Sequence, residues 1–553
     1  MMRFPFRSSL LALLLLAGSG AVPARAALSA LRLGDDDRLL ILAPHPDDET
    51  LAAGGLIQEA LALDLPVRVG FFTMGDNNEI AYLFTRKHPE QMPGAVRAMG
   101  TLRQNEALAA ATQLGLATND LVFLGYPDSG TLQIWKHHWR EIPPYRSPLT
   151  RANAVPYDRA LTPGSAYAGE DILDDLDEVL RDFQPTLVVV PHPADHNVDH
   201  RALYLFARVA LWNLAADGIE VPHLAAPVHF TQWPEPRRYH PMRAATPPHF
   251  LAESCDWMEF VLAPFQVSNK LAAIRRHHSQ YPVASAYLDS CIRKSELFGD
   301  FPDLALPGGN GSIEIAEEDV SQFRPDEDLF AELSGHSDSW NAIAAQNAAE
   351  TTALADMDNG FVQRTVSSDG TDLTMSFEFE QPLAAPLALS ACLFGYRADT
   401  PFGEMPKISI EVKGPGSVVV KDLSTELPED SVELLGDGGD GLALRIPLSL
   451  LGDPEKILTG SRMAKGSLPV DWTAWRVLDL APMLLADPSA PIPKPEAPPP
   501  PPPDPQPMPA VPAVELTASE PPPPDKPAPL TPRVDLPRRA IPDRTEANEP
   551  VMW

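Results

Sequence analysis

At 553 residues the chain is too long for one ordinary domain. Its formal net charge of −32 excludes a role built on phosphate neutralisation, which needs clustered Lys and Arg, so no nucleic-acid partner is expected. The chain has 62 prolines, densest near the end, which points to a tail without a packed core.

Residues 1–26 have the layout of a secretory signal. Arg3 and Arg7 form a basic start, Leu10 to Ala17 a short apolar core, and Ala24-Arg25-Ala26 a small-residue cleavage site. The apolar run is too short to span a bilayer, so no stable transmembrane anchor is expected. This predicts a periplasmic or secreted protein, in our reading of a bacterial envelope. Leu39 to Ala43 is an apolar run that predicts a buried strand. Pro44 and Pro46 stop it, and a helical pattern runs from Thr50 to Leu63. His45, Asp47, Asp48 and Glu49 therefore fall in a loop at a strand's carboxyl end, where open α/β sheets bind ligands.

Further along, Val67 to Thr73 and Leu121 to Leu124 read as strands, and Gly94 to Leu114 as a helix carrying Arg103 and Glu106. Residues 131–168, rich in Pro, Tyr and Trp, read as a long loop over the site, in the manner of a lid, whose rings are explained either by stacking on sugars or, equally well, by packing within the loop. Asp171 to Phe183 has helical spacing, Thr186 to Val190 is a β-branched strand, and Arg201 to Leu214 is a helix. Between the last two lies Pro191-His192-Pro193-Ala194-Asp195-His196-Asn197-Val198-Asp199-His200, which repeats the opening pattern of strand, His/Asp loop and helix. Residues 224–265 give no clear elements, and Val267 to His277 reads as a helix. Strands alternating with helices predict an α/β fold, a Rossmann-like, mostly parallel sheet with flanking helices, over residues 36–300.

Residues 301–359 read as a linker with helical segments. From about residue 360 the period changes to two, in Thr374–Glu380, Ile408–Val412, Ser417–Lys421 and Leu442–Ile446. That predicts a small β-sandwich accessory domain over 360–482. Residues 487–553, with an unbroken proline run from Pro498 to Pro503, predict a disordered, polyproline-like tail open to an envelope partner. Cys255, Cys291 and Cys392 allow at most one disulfide. Cys255–Cys291 falls within one domain, and the alternative is three free buried thiols.

His45 and Asp48 on one loop and His200 on the other supply two imidazoles and a carboxylate. A catalytic zinc takes three such ligands and keeps a position for water, and the same set suits Fe2+ or another divalent metal. Asp47, beside a ligand but pointing differently in a tight turn, is placed to take a proton from that water. Taken singly, Asp47 or Asp48 is also explained as a helix N-cap and His200 as an ordinary core histidine. Two such loops together favour the metal.

Pro44-His45-Pro46-Asp47-Asp48-Glu49 and Asp199-His200-Arg201-Ala202 resemble the two signatures of the PIG-L/LmbE-like deacetylases. Arg103 to Glu106, Leu124 to Gly130, and Lys270 with His277-His278-Ser279-Gln280 add to the resemblance, which covers about residues 36–300. It implies a metal-dependent, zinc-type amidohydrolase that removes an N-acetyl group from an N-acetylated sugar, an N-acetylglucosamine-containing glycan or a glycoconjugate. It implies His45, Asp48 and His200 as metal ligands, Asp47 as general base, and Arg103 and Asp128 as substrate-contacting or site-ordering residues. The family often carries a His three residues before the last ligand to polarise the carbonyl. Here that position is Asn197, so Asn197 or the neighbouring His196 is expected to stabilise the oxyanion. Two other readings are a catalytically weak glycan-binding or scaffold protein and a different metal hydrolase, an esterase or phosphoesterase.

Overall fold

The computed structural model describes residues 28–77, 92–139, 143–230, 233–307, 311–315, 361–383, 387–413, 417–436, 441–465 and 468–480. The expected signal (1–26), the helical segments expected within 326–355 and the Pro-rich tail lie outside these residues. No helix among the described residues is long and apolar enough to cross a membrane.

The first strands form as their composition demands. β2 (Leu39–Ala43) is buried at every position, and β3 (Val67–Thr73) nearly so. A strand buried on both faces needs cover on both, which α1 (Asp48–Ala62), α2 (Pro93–Leu114) and later helices supply. β4 (Leu121–Tyr126), β5 (Leu187–Pro191) and β6 (His223–Ala226) complete a parallel set. β1 (Ser29–Ala30), β7 (Asp256–Val261) and β8 (Ser295–Asp300) extend it to an eight-stranded sheet of order β1-β7-β8-β6-β5-β2-β3-β4. Only β8 runs antiparallel to its neighbours. The α/β region therefore begins at Ser29, ahead of the expected boundary at 36.

The topology decides where a site can be. β2 pairs in parallel with both β3 and β5. The chain leaves β2 toward β3 and β4 on one side and leaves β5 toward β6 on the other. Their carboxyl-end loops thus part at the point where strand order reverses, and a crevice opens there.

Two helices differ from the sequence expectation and a third follows it. α5 runs Val198–Ala216, so Asp199 and His200 stand in its first turn and not in the loop. Asn197 is its N-cap, with Oδ1 accepting the Asp199 N–H at 2.8 Å. α3 (Thr131–His137) occupies the start of the expected lid. Its Trp135 is fully buried and Trp139 nearly so, packed against Phe394 and Phe402 of the strand-rich region, so neither ring faces a sugar. α4 (Gly169–Phe183) follows the expectation: it is strongly amphipathic and buries Ile172, Leu176, Val179 and Leu180 against the core.

α1 is interrupted at Ala53 (φ −135°, ψ 16°). The break frees the Leu51 carbonyl and the N–H groups of Gly55 and Leu56. Buried Lys270, on α6 (Pro264–Ile274), donates Nζ to Leu51 O at 2.9 Å and to Glu296 Oε1 at 2.6 Å. Glu296 accepts Gly55 N and Leu56 N at 2.7 and 2.9 Å. One buried ion pair therefore satisfies these three groups that the kink exposes.

The strand-rich region is two largely antiparallel sheets. One has the order β10-β11-β12-β18-β17, built on β10 (Ser312–Ile315), β11 (Phe361–Ser368), β12 (Asp372–Phe379), β17 (Glu433–Leu435) and β18 (Gly441–Pro447). The other centres on β13 (Leu387–Tyr396) between β14 (Lys407–Val412) and β19 (Lys456–Lys465); it continues beyond β14 through β15 (Val418–Asp422) to β16 (Thr425–Glu426) and beyond β19 through β21 (Arg476–Asp479) to β9 (Leu304–Ala305), with β20 (Leu468–Trp472) also pairing β19. Side chains of both sheets join one buried apolar cluster, including Val366, Met375, Leu389 and Ile410. β9 and β10 fall within the expected linker 301–359, so parts of it belong to these sheets. None of the three cysteines forms a disulfide, and Cys255 Sγ lies 3.3 Å from His192 Nε2 instead of bonding Cys291.

Candidate metal centre

The loops after β2, β4, β5 and β6 meet over a cavity of about 460 Å³. His45, Asp47, Arg103, Asp128, Asn197 and His229 line its polar side, and Leu51, Ala284, Tyr287 and Leu288 its apolar side.

His45, Asp48 and His200 come together at the bottom, all buried. His45 Nδ1 is 3.0 Å and His200 Nε2 3.1 Å from Asp48 Oδ2. Each imidazole turns its other nitrogen to a carboxylate: His45 Nε2 is 3.2 Å from Asp199 Oδ2, and His200 Nδ1 is 3.0 Å from Asp195 Oδ2. Metal-binding histidines are oriented in this way, since the outer carboxylate fixes the tautomer and aims the free nitrogen. His200 Nε2 and Asp48 Oδ1 are buried without an aligned hydrogen bond, which suits atoms directed at a cation. Electrostatics agree. Burial alone lowers an imidazole, yet Asp195 and Asp48 raise His200 to about 9, a field that attracts positive charge. This donor set fits a divalent metal.

Asp47 occupies the N-cap position of α1 without acting as a cap. Its φ is 134°, and its carboxylate makes no hydrogen bond to the helix. It faces the cavity and pairs with Arg103 Nη2 at 3.2 Å. Glu49 Oε2 accepts the Asp47 N–H at 3.0 Å, which holds the strained backbone. Burial pushes the Asp47 carboxyl up to about 7, against the pull of Arg103, so it is poised to exchange a proton near neutrality.

Arg103 and Glu106 have separate partners, each within the core. Arg103 is buried and donates Nη1 to Gly75 O and Nη2 to Pro46 O, both at 2.8 Å. It ties the His45–Asp48 loop to the turn after β3. Gly75 (φ 61°) leaves the room, since a Cβ there would strike the guanidinium. Glu106 accepts Ser279 N and Oγ at 2.8 and 2.6 Å. Asp128 accepts Asn77 N at 3.0 Å, and its Oδ1 lies 3.7 Å from His45 Nε2, at the cavity wall.

The two residues expected at the oxyanion separate. Asn197 lines the cavity, with its carbonyl oxygen used as the helix cap. His196 does not reach it. Its ring packs against Phe230 and Trp472 at 5.9 and 5.7 Å between centroids, and burial lowers it to about 4. The adjacent backbone turns into α5 at Asn197, which sends neighbouring side chains to opposite sides.

Three participants were not recognised in the sequence. Asp195 and Asp199 orient the histidines, and the Asp199-His200 dipeptide was the signal for one of them. His229 lies three residues beyond β6, edge-on to His200 at 4.8 Å, with Nε2 3.6 Å from Asp48 Oδ1. Asp199 also accepts Thr131 Oγ1 at 2.5 Å and Ser129 N at 2.6 Å. Thr131→Val keeps the shape and removes one bond to a buried carboxylate. It is expected to lower stability by about 1.5–3 kcal/mol, read from the urea midpoint.

Residues 40–211 match the family model described as PIG-L: GlcNAc-PI de-N-acetylase. A 1D-myo-inositol 2-acetamido-2-deoxy-alpha-D-glucopyranoside deacetylase 1 of Saccharopolyspora erythraea is 34% identical over 171 residues, 30% of this chain and 48% of that protein. A similarly described deacetylase of Gordonia bronchialis is 27% identical over 184 residues, 32% of this chain and 58% of that protein. The chain thus spans about half the length of the curated relatives it matches. Among solved structures, the N,N'-diacetylchitobiose deacetylase of Pyrococcus horikoshii aligns with a TM-score of 0.29 at 18% identity, covering 48% of this chain and 83% of that one.

Proposed function

Because residues 40–211 form a PIG-L family domain, we propose that the protein is a metal-dependent hydrolase that removes the N-acetyl group of an N-acetylated sugar, glycan or glycoconjugate. The observation that carries this reading is the convergence of His45, Asp48 and His200 beside an Asp47 carboxylate withheld from its helix. Zinc is our assignment for the metal, from the two-imidazole, one-carboxylate set. When bound there, a divalent cation supplies a Lewis acid and a water acidic enough to react near neutral pH.

The chain's own residues do the rest. Arg103 holds Asp47 facing the cavity. Asp47 accepts a proton from the attacking water and returns it to the departing nitrogen, so that an amine and not an amide anion leaves. Asp128, Ser129 and Asn77 form a polar wall suited to sugar hydroxyls, and Leu51, Ala284 and Leu288 an apolar one suited to the acyl methyl. We place the protein in the periplasm or outside the cell on the layout of residues 1–26, and read the strand-rich region as a β-sandwich accessory module.

The test is amine release by purified full-length protein from N-acetylglucosamine and its β-1,4-linked oligomers, with and without EDTA. Release is expected with metal, lost on chelation and restored by zinc. No amine, or release indifferent to chelator, would overturn the reading. Release of O-acetyl or phosphate alone would identify another metal hydrolase.

A further inference from the structure

Amide hydrolysis through added water places negative charge on the former carbonyl oxygen, and a preorganised donor beside that oxygen speeds the reaction. Several cavity-lining donors are committed elsewhere. Arg103 holds Gly75 O, Pro46 O and Asp47. The Tyr287 hydroxyl donates to Val228 O at 2.8 Å, and Ser129 Oγ to Asp128 Oδ1 at 3.1 Å. His196 points away from the cavity.

His229 differs. Its side chain is 35% exposed and lines the cavity. Its backbone N–H donates to Asp195 Oδ2 at 2.9 Å, the same oxygen that faces His200 Nδ1. Its ring lies nearly parallel to Tyr287, with centroids 5.3 Å apart at 28°, and edge-on to His200. The imidazole is thus held by neighbours on two sides and by its own backbone, with Nε2 beside the ligand cluster. At 3.6 Å from Asp48 Oδ1 that nitrogen is too far for a hydrogen bond, and it stands off from the Oδ2 atom that His45 and His200 share.

We infer that His229 is a catalytic residue of this site, whose Nε2–H donates to the acyl oxygen of the substrate. The inference rests on the deacetylase reading above. Water adds to the acyl carbon, one of its protons passes by way of Asp47 to the nitrogen, and the C–N bond breaks to give the amine and acetic acid, whose remaining proton is released as acetate forms. His229 keeps its proton throughout and supplies only the hydrogen bond. Asn197 is left to its cap, and a loop three residues past β6 takes over the donor's place.

The test compares His229→Phe, which fills the same space against Tyr287 without a donor, with His229→Gln, which restores an N–H. Metal content by elemental analysis and thermal melting accompany kcat and KM. His229→Phe is expected to fold, bind metal as wild type does, and lose about 10²–10³-fold in kcat at unchanged KM. His229→Gln is expected to recover part of the loss. Loss of metal from either folded variant would make His229 a ligand and overturn the inference, as would an unchanged kcat or an effect on KM alone. If His229→Phe does not fold, His229→Gln decides: a lowered kcat with metal retained supports the inference, and either loss of metal or an unchanged kcat overturns it. An active wild type with an equally active His229→Phe sinks this inference alone. A wild type with no deacetylation sinks the reading beneath it as well.

Discussion

Asp47→Asn is expected to lower kcat about 10²–10⁴-fold, the usual contribution of a positioned base, with metal content and melting temperature close to wild type. Asn is nearly isosteric and tolerates the positive φ of 134° at this position better than most residues. Arg103 keeps its two carbonyl partners, Pro46 O and Gly75 O, when the carboxylate is gone. The amide cannot take a proton from water, so the loss falls on the chemical step. Steady-state kinetics on the acetylated oligomers check it. A variant within tenfold of wild-type kcat would remove Asp47 from the reaction and leave its strain unexplained.

That strain shows what a sequence can and cannot disclose. An acid just ahead of a helix reads equally as a cap or as a base, because both need only a carboxylate at that place in the chain. The choice is made by Arg103, 56 residues away, and by the Glu49 carboxylate that pins the Asp47 N–H. β2 and β5 were legible because strands buried on both faces carry near-continuous apolar runs. β12, β14 and β18 are legible from their period of two, which burial follows along β12, whereas β11, β13 and β19 are not among the strands that this period marks out. α5 starts three residues ahead of the expected Arg201 because Asp199 and His200 have the polarity of a loop, although Asn197 is a good N-cap signal. His229 was hidden for another reason. β6 is four residues long and has no β-branched residue, so nothing local marks His229 as lying near the end of a strand.

The expected lid failed on a tertiary effect, and it yields the last prediction. Trp135→Ala is expected to lower stability by about 3–5 kcal/mol, measured by urea unfolding. Trp135 is fully buried, with Phe206 edge-on at 4.9 Å from its own region. Phe394 and Phe402 stack on it at 5.5 and 5.3 Å from the strand-rich region. Phe394, Phe402, Trp475 and Val477 belong to the same buried cluster as β2 and α5, so the core of the α/β region is completed by the sheets that follow it. A helix whose apolar residues face a partner encoded more than 250 residues later has no local pattern to betray it. Trp135→Phe retains the ring stacking and is expected to cost less than Trp135→Ala. A Trp135→Ala loss below about 1 kcal/mol, the size of an ordinary substitution, would mean that this contact adds little and that the two regions hold their folds separately.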